Sequence, residues 1–203
     1  MTTIESLIHM YIKQPTYLPG DNKDKFHEML RVNHSGELGA INLYKGQIAA
    51  IKHLSIIEKQ RTLLETLNEM YNQEMVHYQY FKLAIEQHKV RPSFLTPIWS
   101  QLGFTIGYIT GILGQKTAMT LTAGVETVIG NHYKEQLNII ENMLPSNGAL
   151  DELKSKISQF MEEELEHLDI ATAYHAEEMY RYFYLRKLIE IATNIAISIA
   201  KRL

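Results

Sequence analysis

Apolar residues recur at steps of three and four along four long segments of the chain. This spacing puts them on one face of an α-helix, so it predicts four long amphipathic helices. The helices are predicted over about residues 22–53, 57–88, 116–143 and 150–180. Proline and glycine mark the breaks between segments, at Pro19 and Gly20, at Pro92, and at Pro145 and Gly148.

The segment between the second and third of these helices has an unusual composition. Residues 92–115 carry no charge, yet proline, glycine and several hydroxyl side chains make the segment less apolar than most bilayer spans. Gly103, Gly107 and Gly111 form a stripe of small residues that lets a neighbouring helix approach closely. We therefore expect a buried or interfacial helix here, and a transmembrane helix is the less favoured alternative.

The last predicted helix, over about residues 184–202, is short and amphipathic. Ile191, Ile195 and Ile199 lie on one side of it. The chain shows no alternating strand pattern and no hairpin turn of the Asn-Gly type. The predicted fold is therefore all-α: a four-helix bundle with two additional helices, one hydrophobic and one amphipathic.

The composition is that of a globular protein and excludes several other classes. Of 203 residues, 45% are hydrophobic and 21% charged, and the net charge of −3 is not typical of a nucleic-acid-binding protein. There is no cysteine, so any metal ligands must come from the nine histidines and the carboxylates. We expect an N-terminal extension over residues 1–22, which does not resemble a signal peptide, and one helical domain over residues 23–203.

One arrangement of acidic residues and histidines occurs twice in the chain. In each copy a lone glutamate is followed, one helix later, by Glu-x-x-His, and the two copies have nearly the same spacing. All these residues fall on the apolar stripes, where an uncompensated carboxylate costs several kcal/mol. The two copies consist of Glu37, Glu74 and His77, and of Glu126, Glu164 and His167.

Two metal ions are the simplest compensation for these buried carboxylates. Residues i and i+3 share a helix face, so both members of each Glu-x-x-His pair can reach one point in the core. Four carboxylates balance two divalent ions, and this set of ligands is the one that di-metal helix bundles use. Oxygen and nitrogen ligands favour iron or manganese over zinc and indicate redox chemistry with O₂.

An ordinary bundle without metals is the alternative, with the glutamates paired to lysine, arginine or tyrosine. The predicted inner stripes contain no lysine or arginine. Tyr44 and Tyr133 lie one to two turns from Glu37 and Glu126. They either line the metal site or are core tyrosines with satisfied hydroxyls.

Other histidines and glutamates near the motif are not expected to bind metal. His34 and His132 are expected to pack beside the site or to hold a ligand by a hydrogen bond, not to bind metal. Glu162, Glu163 and Glu166 flank the ligand positions on outward faces, so they are predicted to be solvated helix surface.

Several stretches around these residues carry a more specific signal. They are residues 31–40 (RVNHSGELGA), 90–92 (VRP) followed by the helix of Trp99, 125–133 (VETVIGNHY) and 163–169 (EELEHLD). Together they resemble the demethoxyubiquinone hydroxylases of ubiquinone biosynthesis. The resemblance covers about residues 25–203 and departs from the family in a longer connection at about residues 52–66.

The resemblance implies a ferritin-like di-iron monooxygenase. Such an enzyme uses two Fe²⁺ ions and O₂ to hydroxylate an unsubstituted ring carbon of a polyprenylated methoxy-methyl benzoquinol, with NADH as a loosely bound reductant. Glu74 and Glu164 would bridge the two irons. By family similarity, Glu37, Glu74 and His77 would hold one iron and Glu126, Glu164 and His167 the other.

The resemblance also implies a role for the apolar helices. Residues 92–115 would dip into a membrane surface or form a groove for the prenyl tail, and Lys187, Lys201 and Arg202 flank the apolar face of the last helix. We therefore expect peripheral attachment to the cytoplasmic face of a bacterial inner membrane. Other proteins of ubiquinone biosynthesis are expected partners, and nucleic acid is not.

Two functions from other classes remain open on the sequence. A ferritin-like ferroxidase or iron-storage protein would use the same ligands without an organic substrate. A membrane-associated assembly partner could retain the ligands without using them. The uncharged segment argues against a soluble storage cage, because it would expose apolar surface there.

Overall fold

The computed structural model describes residues 20–54, 60–143, 148–174, 176–178 and 180–202. Within these ranges the chain is helical and has no strand, which confirms the all-α prediction. The helices are α1 (Gly20–His53), α2 (Arg61–Gln87), α3 (Thr96–Ile112), α4 (Gln115–Glu141), α5 (Gly148–Ala173) and α6 (Tyr182–Ala200), with a 3₁₀ turn at Ala176–Glu178. Residues 1–19 lie outside the described ranges, so the proposed N-terminal extension stays a prediction.

Helices α1, α2, α4 and α5 form the bundle, and the predicted stripes face its interior. On α1 every predicted stripe residue from Leu30 to Ile51 is at most 8% exposed. On α2 the stripe from Leu63 to Ala84 is equally buried. The stripes form because one apolar face per helix is removed from water when the four helices pack together.

The core consists of two apolar clusters at different levels of the bundle. The first cluster includes Phe26, Phe81 and Phe160, and the second includes Leu67 and Met119. On each long helix the predicted ligands lie between residues of the first cluster and residues of the second. The polar residues therefore meet about halfway along the bundle, between the two apolar clusters.

Helix α3 packs directly against α1 through glycine. A methyl group on Gly107 would lie 2.1 Å from the backbone oxygen of Leu43, and one on Gly46 would lie 2.2 Å from the backbone oxygen of Phe104. These distances leave no room for a side chain at either position. The predicted small-residue stripe on α3 is thus confirmed, and its partner is α1. Gly114, with φ of 106°, then turns the chain from α3 into α4.

The outer faces of α3 and α6 are apolar and exposed. Phe94, Ile98 and Ile109 of the α3 segment are at least half exposed, and so are Phe183 and Leu188 of α6. The predicted apolar side of α6 is therefore not its packing face: Ile191 and Ile195 are exposed, whereas Ile189 and Ala200 are buried. In the described part of the chain, no helix combines the length and apolarity that crossing a bilayer requires.

The end of α5 differs from the sequence prediction. The pattern predicted a helix to about residue 180, but α5 ends at Ala173 and the 3₁₀ turn follows. Ala176 in this turn is fully buried against the second core cluster, and Thr120 of α4 donates a hydrogen bond to its backbone oxygen at 3.2 Å. Packing against α4 outweighs the local helical pattern here, so the chain reaches α6 by a tight turn.

Candidate metal centre

The structure brings the six predicted ligands together in the middle of the bundle. They form two groups, and in each group one ligand atom from every residue lies within 4.8 Å of the others. All six residues are at most 1% exposed. One group is Glu37, Glu74, His77 and Glu164, and the other is Glu74, Glu126, Glu164 and His167.

The imidazole nitrogens and carboxylate oxygens of these groups face each other at short range. His77 Nδ1 lies 3.3 Å from Glu164 Oε1 and 3.5 Å from Glu37 Oε2. His167 Nδ1 lies 3.1 Å from Glu74 Oε1 and 3.4 Å from Glu164 Oε2. These are ion-pair distances, but none of the contacts has hydrogen-bond geometry.

Many of the buried polar atoms at this point have no hydrogen-bond partner within the described ranges. They are one oxygen each of Glu37 and Glu126, both oxygens of Glu74 and Glu164, and Nδ1 of His77 and His167. Buried polar atoms are nearly always hydrogen-bonded, and a carboxylate without a partner costs several kcal/mol. A convergent set of unsatisfied oxygen and nitrogen atoms fits two divalent cations.

The electrostatics of the centre show how unfavourable four uncompensated carboxylates are. Burial raises the pKa of Glu37 to about 8. Burial and the negative charge of Glu164 together raise the pKa of Glu126 well above its ordinary value. Burial also opposes ionisation of Glu74, but contacts with His167 and His77 hold its pKa below the ordinary value. Among the described residues, no lysine or arginine forms a salt bridge with any of these carboxylates.

Two tyrosines cross from one copy of the motif to the other. Tyr44 donates a hydrogen bond to Glu126 Oε1 at 2.6 Å, and Tyr133 donates one to Glu37 Oε1. Each tyrosine lies seven residues after the glutamate of its own copy and bonds the glutamate of the other copy. Both hydroxyls are thus satisfied, and each bonds a carboxylate whose second oxygen has no partner within the described ranges.

Each histidine is held by a residue that the sequence analysis did not identify. His77 Nε2 bonds Glu163 Oε2 at 2.5 Å, and His167 Nε2 bonds Gln73 Oε1 at 2.7 Å. The prediction that Glu163 is solvated surface is wrong, because its side chain is only 26% exposed and faces His77. The available signal was position: Gln73 and Glu163 both directly precede the glutamate of a Glu-x-x-His pair.

His34 and His132 are buried near the centre but outside both ligand groups. The His34 ring packs against Tyr78, with centroids 5.2 Å apart, and His132 Nε2 lies 2.8 Å from the amide nitrogen of Gln136. Burial lowers the pKa of each imidazole to about 4, so both are neutral near pH 7. Gln136 in turn forms two hydrogen bonds with Asn33, at 2.7 and 2.9 Å.

A cavity of about 310 Å³ lies beside the centre, between α1, α3, α4 and α6. Its wall is mainly apolar, with Leu43, Trp99 and Ile189 among the larger side chains. Glu37 and Tyr133 belong both to this wall and to the candidate centre. The cavity therefore connects the Glu37 side of the centre with the apolar helices α3 and α6.

An all-helical bundle with one glutamate from each of two helices and Glu-x-x-His from each of the other two is typical of ferritin-like di-metal carboxylate proteins. The sequence model described as ubiquinone biosynthesis protein COQ7 matches residues 24–200. The chain therefore belongs to this family, as the resemblance predicted.

Individual relatives agree with the family match. The chain is 37% identical to the NADPH-dependent 3-demethoxyubiquinone 3-hydroxylase, mitochondrial, of Dictyostelium discoideum, over 86% of this chain and 76% of that protein. It is 34% identical to the human protein of the same name, with 86% and 76% covered. It is also 34% identical to the 3-demethoxyubiquinol 3-hydroxylase of Rhodospirillum rubrum, with 91% and 82% covered.

Proposed function

We propose that the chain is a di-iron monooxygenase that hydroxylates the ring of a demethoxyubiquinol with O₂. The observation that carries this proposal is the position of the candidate metal centre against an apolar cavity, with Glu37 belonging to both. The names of its relatives support the same reaction. Two ferrous ions in the centre would supply the electrons that reduce O₂ for ring hydroxylation.

The six convergent side chains are the proposed iron ligands. Glu74 and Glu164 are the proposed bridges, because these two glutamates occur in both ligand groups. Their unpaired oxygens and the Nδ1 atoms of His77 and His167 support this assignment. Glu37 and Glu126 each keep one oxygen bonded to a tyrosine, which leaves the other oxygen for a metal ion.

The cavity is the proposed binding site for the quinol ring and the start of its prenyl tail. A mainly apolar wall excludes water and favours an aromatic ring with a hydrocarbon chain. Asn33 and His132 are polar members of this wall, joined through Gln136. We assign them to the oxygen substituents of the ring, because neutral amide and imidazole groups can hydrogen-bond hydroxyl and methoxy oxygens.

Peripheral attachment to a membrane would deliver a polyprenylated substrate to the cavity. Leu102 and Ile106 of α3 are exposed and also line the cavity, which links its wall to the apolar outer face. For a bacterial chain we assign the site of attachment to the cytoplasmic face of the inner membrane. Other proteins of ubiquinone biosynthesis are proposed partners at this surface.

A nicotinamide nucleotide is the proposed source of the two electrons that each turnover consumes. NADH is our first choice, although two of the relatives are named as NADPH-dependent enzymes. Because these two names specify NADPH, both nucleotides belong in the assay.

The decisive experiment is reconstitution with ferrous iron, O₂, a short-chain demethoxyquinone and either NADH or NADPH. We expect a product heavier by one oxygen atom, with ¹⁸O incorporated from ¹⁸O₂. Glu164→Ala should form no product, whereas Glu166→Ala, at an exposed position of the same helix, should retain activity. Absence of product from iron-loaded wild-type protein with both nucleotides would overturn the proposal.

The same assay separates the proposed reaction from iron handling alone. A ferroxidase would oxidise ferrous iron at a rate unaffected by quinone and would form no hydroxylated ring. A partner with unused ligands would bind less than one iron per chain, and Glu164→Ala would leave ubiquinone synthesis in cells unchanged.

A further inference from the structure

The two copies of the motif form matching contacts at their lone glutamates but differ beside their histidines. The crossed tyrosine bonds are alike, and so are the ligand types on α1 and α4 and on α2 and α5. The residue before each Glu-x-x-His glutamate also crosses to the histidine of the other copy. That residue is neutral Gln73 beside His167 but acidic Glu163 beside His77.

Both carboxylate oxygens of Glu163 have a hydrogen-bond partner, which fixes the position of the side chain. Gln159, one turn earlier on α5, donates a hydrogen bond to Glu163 Oε1 at 2.9 Å and leaves Oε2 for His77. The phenyl ring of Phe160 packs against the His77 ring with centroids 4.1 Å apart, which fixes the ring plane.

A carboxylate and an amide have different effects on an imidazole ligand. A histidine that donates its second N–H to a carboxylate becomes a more basic ligand and binds a metal ion more tightly than one that donates to an amide. Removal of such a partner typically weakens metal binding by about 10- to 100-fold. The two metal positions of this centre are therefore unequal in ligand strength.

We propose that Glu163 is a positioning residue that makes the metal position of Glu37 and His77 the tighter of the two, so that this position fills first. The same position faces the cavity, because Glu37 lies in the cavity wall and Glu126 does not. The stronger metal position is thus the one nearest the substrate, and Gln73 keeps the remote position weaker. The inference rests on the proposed metal centre.

Calorimetric titration of the metal-free protein with Co²⁺ tests the inference without an activity assay. Wild-type protein should bind two ions in two steps that differ at least tenfold in Kd. Glu163→Gln should weaken the tighter step by about 10- to 100-fold and bring the two steps together. Glu162→Gln removes the same charge from an exposed neighbour on α5 and should leave both steps unchanged.

The exchanged variant identifies which position fills first. In Gln73→Glu with Glu163→Gln, two steps should return with their order reversed. Anomalous scattering from crystals with one equivalent of Co²⁺ should then place the ion beside His167, and beside His77 in the wild type. Circular dichroism of the metal-free variants controls for folding, since both substitutions nearly preserve side-chain volume.

The outcomes separate this inference from the proposed metal centre. If Co²⁺ does not bind at all, the metal centre itself is wrong. If two ions bind with equal affinity, or if Glu163→Gln weakens both steps equally, the centre stands and the asymmetry is wrong. If the first ion lies beside His167 in the wild type, the proposed order of filling is wrong.

Discussion

The bundle interior and the surface formed by α3 and α6 have opposite distributions of polar and apolar side chains. In the interior, Glu74, Glu164 and both ligand histidines are fully buried. On the surface of α3 and α6, large apolar side chains such as Phe94 and Phe183 are each 72% exposed. A typical globular protein shows the reverse in both places.

Each of these departures needs a compensating contact that the described residues do not supply. Buried carboxylates require positive charge, and exposed apolar faces require a nonpolar cover. Departures from normal burial are expected at functional sites, where stability is given up for activity. The two regions meet at the cavity, which has Glu37 in its wall and α3 and α6 at its borders.

The largest expected effect is that of metal removal, which tests the compensation of buried charge. Metal ions that bind only the folded protein stabilise it by about 4 kcal/mol when free metal exceeds Kd by 1,000-fold. We expect the melting temperature to rise on addition of Fe²⁺ or Co²⁺ and to fall again with a chelator, as measured by calorimetry.

Glu126→Gln is the matched variant for this measurement. It keeps the acceptor for Tyr44 but removes one buried charge. The metal-dependent rise should shrink, while the metal-free variant should be at least as stable as the metal-free wild type, because burial opposes the charged form of Glu126. Equal melting temperatures of wild-type protein with and without metal would show that metal ions do not compensate the buried carboxylates.

The next effect concerns the close packing that attaches the apolar surface to the bundle. In Gly107→Ala the new methyl would lie 2.1 Å from the Leu43 oxygen and 2.9 Å from its carbonyl carbon. Both atoms are backbone, so α1 and α3 must separate. We expect a loss of about 2 to 3 kcal/mol in the free energy of unfolding, measured by urea titration.

Gly36→Ala is the control, because it is also a helical glycine but has no atom within 4 Å of the added methyl. It should stabilise the protein by about 0.5 to 1 kcal/mol through helix propensity. If both variants lost a similar free energy of unfolding, the close packing of α3 against α1 would not be the cause of the loss.

A smaller effect is the loss of stability at low pH that we expect from His34 and His132, the two buried histidines outside the ligand groups. His34 and His132 have a pKa of about 4 in the folded protein, because burial is the main influence on each, against about 6.5 unfolded. Between these values the unfolded state binds more protons, so stability is complete above pH 6.5 and falls as the pH drops towards 4. Linkage gives a loss of at most about 2 kcal/mol per imidazole at pH 5.

Urea titrations at pH 7.5 and pH 5 measure this loss. His132→Asn should lose less stability than the wild type between the two pH values. An identical pH dependence in His132→Asn and wild type would show that His132 is not protonated on unfolding.

The smallest expected effect is on membrane binding, which would cover the exposed apolar surface of α3 and α6. Ile195 on α6 is 54% exposed, so Ile195→Ser should lower binding to phosphatidylethanolamine–phosphatidylglycerol vesicles by about tenfold. Leu165→Ser on α5, where the leucine is 48% exposed, is the control and should bind as the wild type does. Equal losses in the two variants would show that α6 is not the membrane-facing side.

The sequence predicted the bundle and the site to a large extent. The stripes on α1 and α2 follow from periodicity, and residues such as Leu67 and Ile41 are buried as predicted. All six candidate ligands meet at one place because equal spacing in two copies puts them at the same level of antiparallel helices. Which of their atoms hold iron stays a prediction that the titrations above test.

Other features could not be predicted from local pattern. Glu163 differs from its solvated neighbour Glu162 by directly preceding the Glu-x-x-His glutamate, but only the fold shows that its partner is His77, 86 residues away. The early end of α5 depends on a buried contact of Ala176 with α4. The packing face of α6 could not be read from its isoleucines, because Ile191 and Ile195 form an apolar stripe that faces outward.

The sequence by itself determined the helical class, the inner stripes and the repeated set of two glutamates and one histidine. These follow from the 3.6-residue repeat and from the cost of burying charge, and both act along one helix at a time. Only the tertiary structure decided which tyrosine holds which glutamate, and that Glu163 supports one histidine while Gln73 supports the other. The reason is physical: those contacts join residues 82 to 96 positions apart, so helix packing sets them.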